Sequence, residues 1–185
     1  VGGGPRPGRT IKAVFPGVTN PVIRDGELDA ALSYEGVESV GSGMGACGFI
    51  VYDDTTCMVE VAAVFSQFLF VESCGQCPPC KLGSGEITEG LDDLQEGIAT
   101  ERTVEGIWEW LGKVTDGSRC FLATEEAQVV GSIIERFPGE VEEHVVGDGC
   151  PRRRHLVIPK LVDLRDGTAV YDERQTRKAP DWTYH

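Results

Sequence analysis

The hydrophobic pattern changes period near residue 58. Before that point, short β-branched and aromatic runs are separated by turn residues. Thr10-Ile11-Lys12-Ala13-Val14-Phe15 predicts a strand that ends at Pro16-Gly17. Asn20-Pro21-Val22-Ile23 predicts a turn and a short strand. Glu27 to Tyr34 has room for one helical turn. Gly48-Phe49-Ile50-Val51-Tyr52 predicts a further strand, ended by Asp53-Asp54.

From 58 onward the apolar residues recur at steps of three and four. Val61, Val64, Phe65, Phe68 and Leu69 predict a helix over 58–72, ending at Ser73. A second helix is expected from Cys80 to about Ala99, with Ile87, Leu91, Leu94 and Ile98 as its buried face. Its glycines at 83, 85, 90 and 97 weaken it, so packing must hold it. A third runs from about Thr103 to Val114 on Val104, Ile107, Trp108 and Leu111. A fourth starts at Thr124, an N-cap with Glu125 and Glu126 in the following turn. Val130, Ile134, Phe137, Val141 and Val145 extend its stripe, and Pro138 should kink or split it. The remainder is rich in Pro, Arg and Asp, with one strand-like run at Leu156-Val157-Ile158.

These elements predict an α+β chain in three parts: a β-rich region over 1–57, a helical bundle over 58–146, and an extended tail over 147–185. At 185 residues the chain is long enough to bury a core without disulfides. No apolar run approaches a membrane span, and the longest, Val59 to Val71, is broken by Glu60, Ser66 and Gln67. No signal peptide is evident, and the chain opens on Val1 rather than Met, as a processed terminus or a fragment would.

Charge excludes one class of partner. The net charge is −13, with residues 1–149 carrying −16 and residues 150–185 carrying +3. An acidic body repels phosphate backbones, so nucleic acid is not an expected partner. Arg152-Arg153-Arg154 reads either as a solvated tail or as a docking arm for an acidic surface.

Chemistry concentrates in the cysteines. There are seven, an odd number that does not suit a paired secretory scaffold. Cys74-Gly75-Gln76-Cys77-Pro78-Pro79-Cys80 spells C-x₂-C-x₂-C, three thiols within seven residues just past a helix end. A loop of this spacing can turn three sulfurs toward one iron–sulfur cubane. Cys120, in the turn between the third and fourth helices, is the candidate fourth ligand, because a short antiparallel bundle brings that turn to the same end as the loop. Arg119 and Lys81 flank the ligands and would offset the cluster's charge. Two other readings stay open. A zinc site more often uses two separated C-x₂-C pairs or includes histidine. A dithiol redox motif would follow a strand and leave Cys80 without a role. Cys47 and Cys57 read as small core residues, Cys150 is unassigned, and His144 is expected to be exposed near a helix end.

Gly43-x-Gly45-x-x-Gly48 matches the dinucleotide fingerprint literally. A strand follows it where the fingerprint needs a helix, so the glycines are read as turn residues. No catalytic acid–base constellation is visible. His144, His155 and His185 stand alone, and Asp92-Asp93 and Glu142-Glu143 read as solvated helix faces.

Glu72-Ser73-Cys74-Gly75-Gln76-Cys77-Pro78-Pro79-Cys80 resembles the C-terminal part of the flavin- and NADH-binding subunit of respiratory NADH:quinone oxidoreductase (complex I). That module is shared with NAD-linked hydrogenases and formate dehydrogenases. Lys81-Leu82-Gly83 stands where the family has Arg-Glu-Gly. Gly41 to Gly45, Val51 to Val59, Lys12 to Gly17 and Cys120-Phe121-Leu122-Ala123 are similar to further family segments. The resemblance covers about 10–145. It implies a partial ubiquitin-like β-grasp region, then a four-helix bundle carrying one 4Fe–4S cluster on Cys74, Cys77, Cys80 and Cys120. It also implies an electron relay from NADH-reduced FMN, bound on a domain that this chain does not include, to iron–sulfur centres of partner subunits. The chain alone should not oxidise NADH. The location implied is cytoplasmic or on the mitochondrial matrix side, peripheral to a membrane complex.

Overall fold

The computed structural model describes residues 4–153, 155–156, 158, 161–172 and 178–183. Three strands form an antiparallel sheet in the order β2-β1-β3: β1 is Ile11–Phe15, β2 Ile23–Arg24 and β3 Ile50–Asp53. Val14 sits opposite Ile23 on one side and Val51 on the other. Alternation along β1 sends Ala13 and Phe15 into the core, both fully buried. Between β2 and β3 lie a 3₁₀ turn at Asp25–Glu27 and helix α1, Tyr34–Ser39. The helical turn expected at 27–34 thus splits into two pieces on either side of that span. Ser33 caps α1 by accepting the Gly36 N–H, and this fixes its start.

Helix α2, Met58–Glu72, runs through the middle of the molecule. Met58, Val59, Val61, Ala62, Phe65 and Leu69 have at most 1% exposure, so the helix is buried nearly all round rather than along one stripe. Phe65 meets Phe15 edge-on at 4.9 Å between ring centres, and this seats the sheet on α2. Helices α3 (Pro78–Glu96), α4 (Glu101–Leu111) and α5 (Leu122–Arg136) pack around it, and α6 (Pro138–Val146) follows after Pro138 breaks the chain as expected. The α5 N-cap is Phe121, so Thr124 lies inside the helix rather than at its start. Ile98 and Trp108 also depart from expectation. Both are exposed, Ile98 because α3 has already ended at Glu96.

The glycines of α3 make room for its neighbours. A methyl group on Gly90 would meet Ile107 of α4 at 2.8 Å. At the C-terminus of α3, Gly97 takes the left-handed conformation (φ 73°) and packs backbone to backbone against Asp148 and Gly149. Gly97→Ala would therefore add αL strain and a clash that no flexible side chain can relieve. We expect a stability loss of about 2–3 kcal/mol, read from the denaturant midpoint.

Ion pairs and side-chain bonds tie the β-rich part to the helices. Arg136 of α5 reaches the Val22 carbonyl at 2.7 Å and Glu27 at 2.8 Å. Lys12 of β1 pairs with Glu140 of α6 at 2.6 Å. The tail folds back on the body. Arg152 pairs with Glu140 and Glu143, and Arg153 with Glu96. These two arginines pair with the chain's own helices while staying partly or largely exposed to solvent; Arg154 lies outside the described residues. Strands β4 (Leu161–Arg165) and β5 (Thr168–Tyr171) make a hairpin that the tail's composition did not announce. Leu156 and Ile158 pack against the core without strand pairing, and Val157 lies outside the described residues.

Candidate metal centre

The cysteine loop is built by a helix end, a turn and a helix start. Ser73 ends α2 in extended geometry. Gly75 then turns the chain with φ 70°, a conformation that costs a side chain and not glycine. Cys77 is the N-cap of α3, Pro78 follows at the first helical position, and Cys80 falls in the first turn. The Lys81 N–H returns to the Cys77 carbonyl at 2.8 Å. The N-terminus of a 19-residue helix, the positive end of its dipole, therefore lies at two of the thiols.

Cys120 lies in the turn between α4 and α5, after Gly117 reverses the chain with φ 61°. The Cys80 thiol is pushed up to about 11, first by burial and then by the charges of Cys120, Cys77 and Cys74, with Glu126 adding to them. The other three sulfurs of the proposed set are thus within electrostatic reach of Cys80. Cys77 and Cys80 are buried, while Cys74 and Cys120 are exposed, and all are free thiols. Four sulfur donors gathered within this reach form a set suited to a cationic centre that would take them as thiolates. Four thiolates from a C-x₂-C-x₂-C loop and one distant cysteine fit a 4Fe–4S cluster.

Sequence reasoning missed what covers the loop. Trp182, near the end of the tail, lays its ring over Gly75, where a methyl group would meet Trp182 Cδ1 at 2.5 Å. Its indole N–H donates to Ser73 Oγ at 3.2 Å. Phe70 meets the ring edge-on at 5.8 Å, and Lys81 Nζ stands 4.3 Å from its centre. Lys178 pairs with Glu72 at 3.3 Å on the same side. No periodicity marks Trp182 in the sequence. Lys81, expected to offset cluster charge, is engaged by this ring.

Beneath the loop, Glu126 of α5 is fully buried. Ser66 of α2 donates to it at 2.6 Å, and Ser66 shares a 2.8 Å hydrogen bond with Thr88 of α3. Burial pushes the Glu126 carboxyl up to about 7 against the lowering effect of the Ser66 hydrogen bond. The sequence had marked Glu126 only as a favourable first-turn charge.

The Gly43-Gly45-Gly48 stretch makes turns, as expected. Gly45 has φ 53°, the Asn20 side chain packs against Gly43, and β3 rather than a helix follows. Cys47 departs from expectation. It is exposed in the turn before β3 with φ 59°, because the chain reverses there rather than entering a strand. Cys57 is buried as expected.

Residues 60–144 match the family described as the NADH-ubiquinone oxidoreductase-F iron-sulfur binding region. All four cysteines of the loop and turn fall inside that match. The chain carries this iron–sulfur binding region. The F subunit of NADH-quinone oxidoreductase from Streptomyces coelicolor is 34% identical over 150 residues, covering 80% of this chain and 33% of that protein. Its counterpart in Mycobacterium tuberculosis (strain ATCC 25618 / H37Rv) is 33% identical over 164 residues, covering 87% and 37%. The HndC subunit of the NADP-reducing hydrogenase of Solidesulfovibrio fructosivorans is 33% identical over 152 residues, covering 82% and 31%. The chain thus spans about a third of the length of these curated relatives. An NAD+-reducing NiFe-hydrogenase in its H2-reduced state shares the fold at a TM-score of 0.66 and 23% identity, over 78% of this chain and 25% of that one.

Proposed function

We propose that Cys74, Cys77, Cys80 and Cys120 hold one 4Fe–4S cluster and that the chain relays single electrons through it. The observation that carries this reading is the set of four free cysteines, three on the loop before and in the first turn of α3 and one in the turn before α5, all inside a region matched to an iron–sulfur family. On this reading the cluster supplies one-electron transfer. The protein contributes the donor set, the end of α3, burial on the Cys77/Cys80 side and the Trp182 cover. Exposed Cys74 and Cys120 mark the edge where a partner's redox centre would approach.

Helices α2 to α5 would then form the cluster-binding four-helix bundle with α6 following it, the sheet a partial β-grasp, and residues 1–57, 58–146 and 147–185 the three parts of the chain. The electrons would come from an NADH-reduced FMN bound on the part of such a subunit that this chain does not span. They would leave to iron–sulfur centres of other subunits of an NADH dehydrogenase-type complex, peripheral to a membrane and on its cytoplasmic or matrix side. Among the described residues, no helix is long and apolar enough to cross a membrane. The resemblance to the hydrogenase subunit of Solidesulfovibrio fructosivorans supports a second parent, a hydrogenase that reduces a nicotinamide.

Anaerobic reconstitution with iron and sulfide should give a brown protein with a low-temperature paramagnetic signal on one-electron reduction. A colourless protein with zinc on these four cysteines would sink the proposal. Trp182→Ala, which uncovers the loop, should leave the cluster formed but make it bleach severalfold faster in air. Bleaching at an unchanged rate would mean that the ring does not shield it.

A further inference from the structure

A second group of ligand-type side chains lies outside the cysteine loop. Cys57 Sγ, His144 Nε2 or Nδ1, and Cys150 Sγ all lie within 4.8 Å of one another. Cys57 and His144 are fully buried and Cys150 is half-buried, so a chain expected to expose His144 instead brings it into the core. Sequence separates these residues widely. Cys57 is the N-cap of α2, His144 sits in the last turn of α6, and Cys150 begins the tail. The Cys150 N–H is fixed by the Gln95 carbonyl of α3 at 3.1 Å.

The geometry assigns a tautomer to His144. Its Nδ1 lies 2.6 Å from the Glu140 carbonyl oxygen. A carbonyl only accepts, so Nδ1 carries the proton and Nε2 keeps its lone pair in the neutral ring. That free nitrogen faces Cys57 Sγ at 3.4 Å. A histidine oriented through a backbone carbonyl is the arrangement by which metal-binding imidazoles are held. The spacing matches too. Zn–S of about 2.3 Å and Zn–N of about 2.0–2.1 Å at a tetrahedral angle give an S···N edge of about 3.5 Å. A group this compact surrounds one ion and is too small for a cluster.

We propose that Cys57, His144 and Cys150 form a zinc site separate from the iron–sulfur centre, with the fourth tetrahedral position left to water or an external ligand. Two thiolates and an imidazole select zinc over the hard cations magnesium and calcium. Binding releases the two thiol protons and forms two Zn–S bonds and one Zn–N bond, with no change of oxidation state. The ion would clip the start of the tail to α2 and α6. It would thereby support the tail that carries Trp182 to the cysteine loop.

The test uses the full chain. Protein whose four loop-and-turn cysteines are already occupied by the reconstituted cluster is cleared of other metal and titrated with cobalt(II) and then with zinc(II), read as difference spectra, and its zinc and iron are measured. Wild type should show thiolate-to-cobalt charge transfer and intense tetrahedral bands that zinc displaces, and about one zinc per chain beside the iron. Cys150→Ala and His144→Gln should each weaken zinc binding at least tenfold while the iron content holds. Because either variant could fail to fold, the wild-type cobalt spectrum stands as an independent reading. Absent tetrahedral bands, zinc retained unchanged by folded variants, or a Cys57–Cys150 disulfide in non-reduced peptide maps would each overturn the proposal. Iron lost in Cys120→Ala but kept in Cys150→Ala separates this site from the cluster.

Discussion

Cys120→Ala should cost the chain its cluster while leaving the fold in place. Cys120 is exposed in the α4–α5 turn, outside both helices, so its side chain contributes little packing. The same test at Cys80 would be ambiguous, because that thiol is buried in the first turn of α3 and packs in the core. Losing a protein partner in the outer shell of a metal already weakens binding by roughly 10–100-fold, and losing a direct thiolate should do at least as much. The expected result is loss of most of the bound iron and visible absorbance after reconstitution, with helical circular dichroism unchanged. Cys47→Ala, at another exposed cysteine, should keep the full absorbance. Iron retained at wild-type level by the Cys120 variant would remove Cys120 from the ligand set.

Much of this site was legible because its signals are local. The spacing of Cys74, Cys77 and Cys80 depends on one loop, and the period of three and four around Phe65 and Leu69 depends on one helix. The strands at β1 and β3 were readable for the same reason. Cys120 needed a further step, since its reach to Cys80 depends on how α4 and α5 pack against α3. What stayed hidden depends on chain segments meeting at long range. His144 looked exposed because it stands near a helix end, yet its side chain turns inward toward Cys57, 87 residues away. Trp182 reaches Ser73 across 109 residues, and the Ser66–Glu126 bond spans 60. Such contacts leave no period in the sequence. The β4–β5 hairpin was missed for a different reason. Its residues are largely exposed, so no buried face imposed the alternation that marks a strand.

Glu126→Gln should remove a pH dependence of folding worth about 3 kcal/mol. The Glu126 carboxyl moves from the ordinary 4.5 up to about 7 on folding, because burial disfavours its charged form. The folded state therefore holds a proton that the unfolded state has released between these two values. Stability falls where the native state binds more protons, so this group lowers stability as pH rises from about 4.5 and levels off above about 7. At about 1.4 kcal/mol per pH unit of difference, the total is about 3 kcal/mol. Glutamine keeps an oxygen that can accept from Ser66 but cannot ionise. Its amide would replace Oε2, which is buried without a hydrogen-bond partner among the described residues, so the variant carries a penalty of its own that does not vary with pH. Denaturant unfolding of the cluster-free chain, measured at pH 5 and pH 8, isolates the effect as the change in the difference between wild type and variant. That difference should move by about 2–3 kcal/mol in the variant's favour at the higher pH, since part of the total is already lost at pH 5. Parallel pH profiles would show that Glu126 titrates at an ordinary value. Since Glu126 also raises the Cys80 thiol, the proton it holds near neutral pH removes one negative charge from beneath the thiolates that are proposed to ligate the cluster.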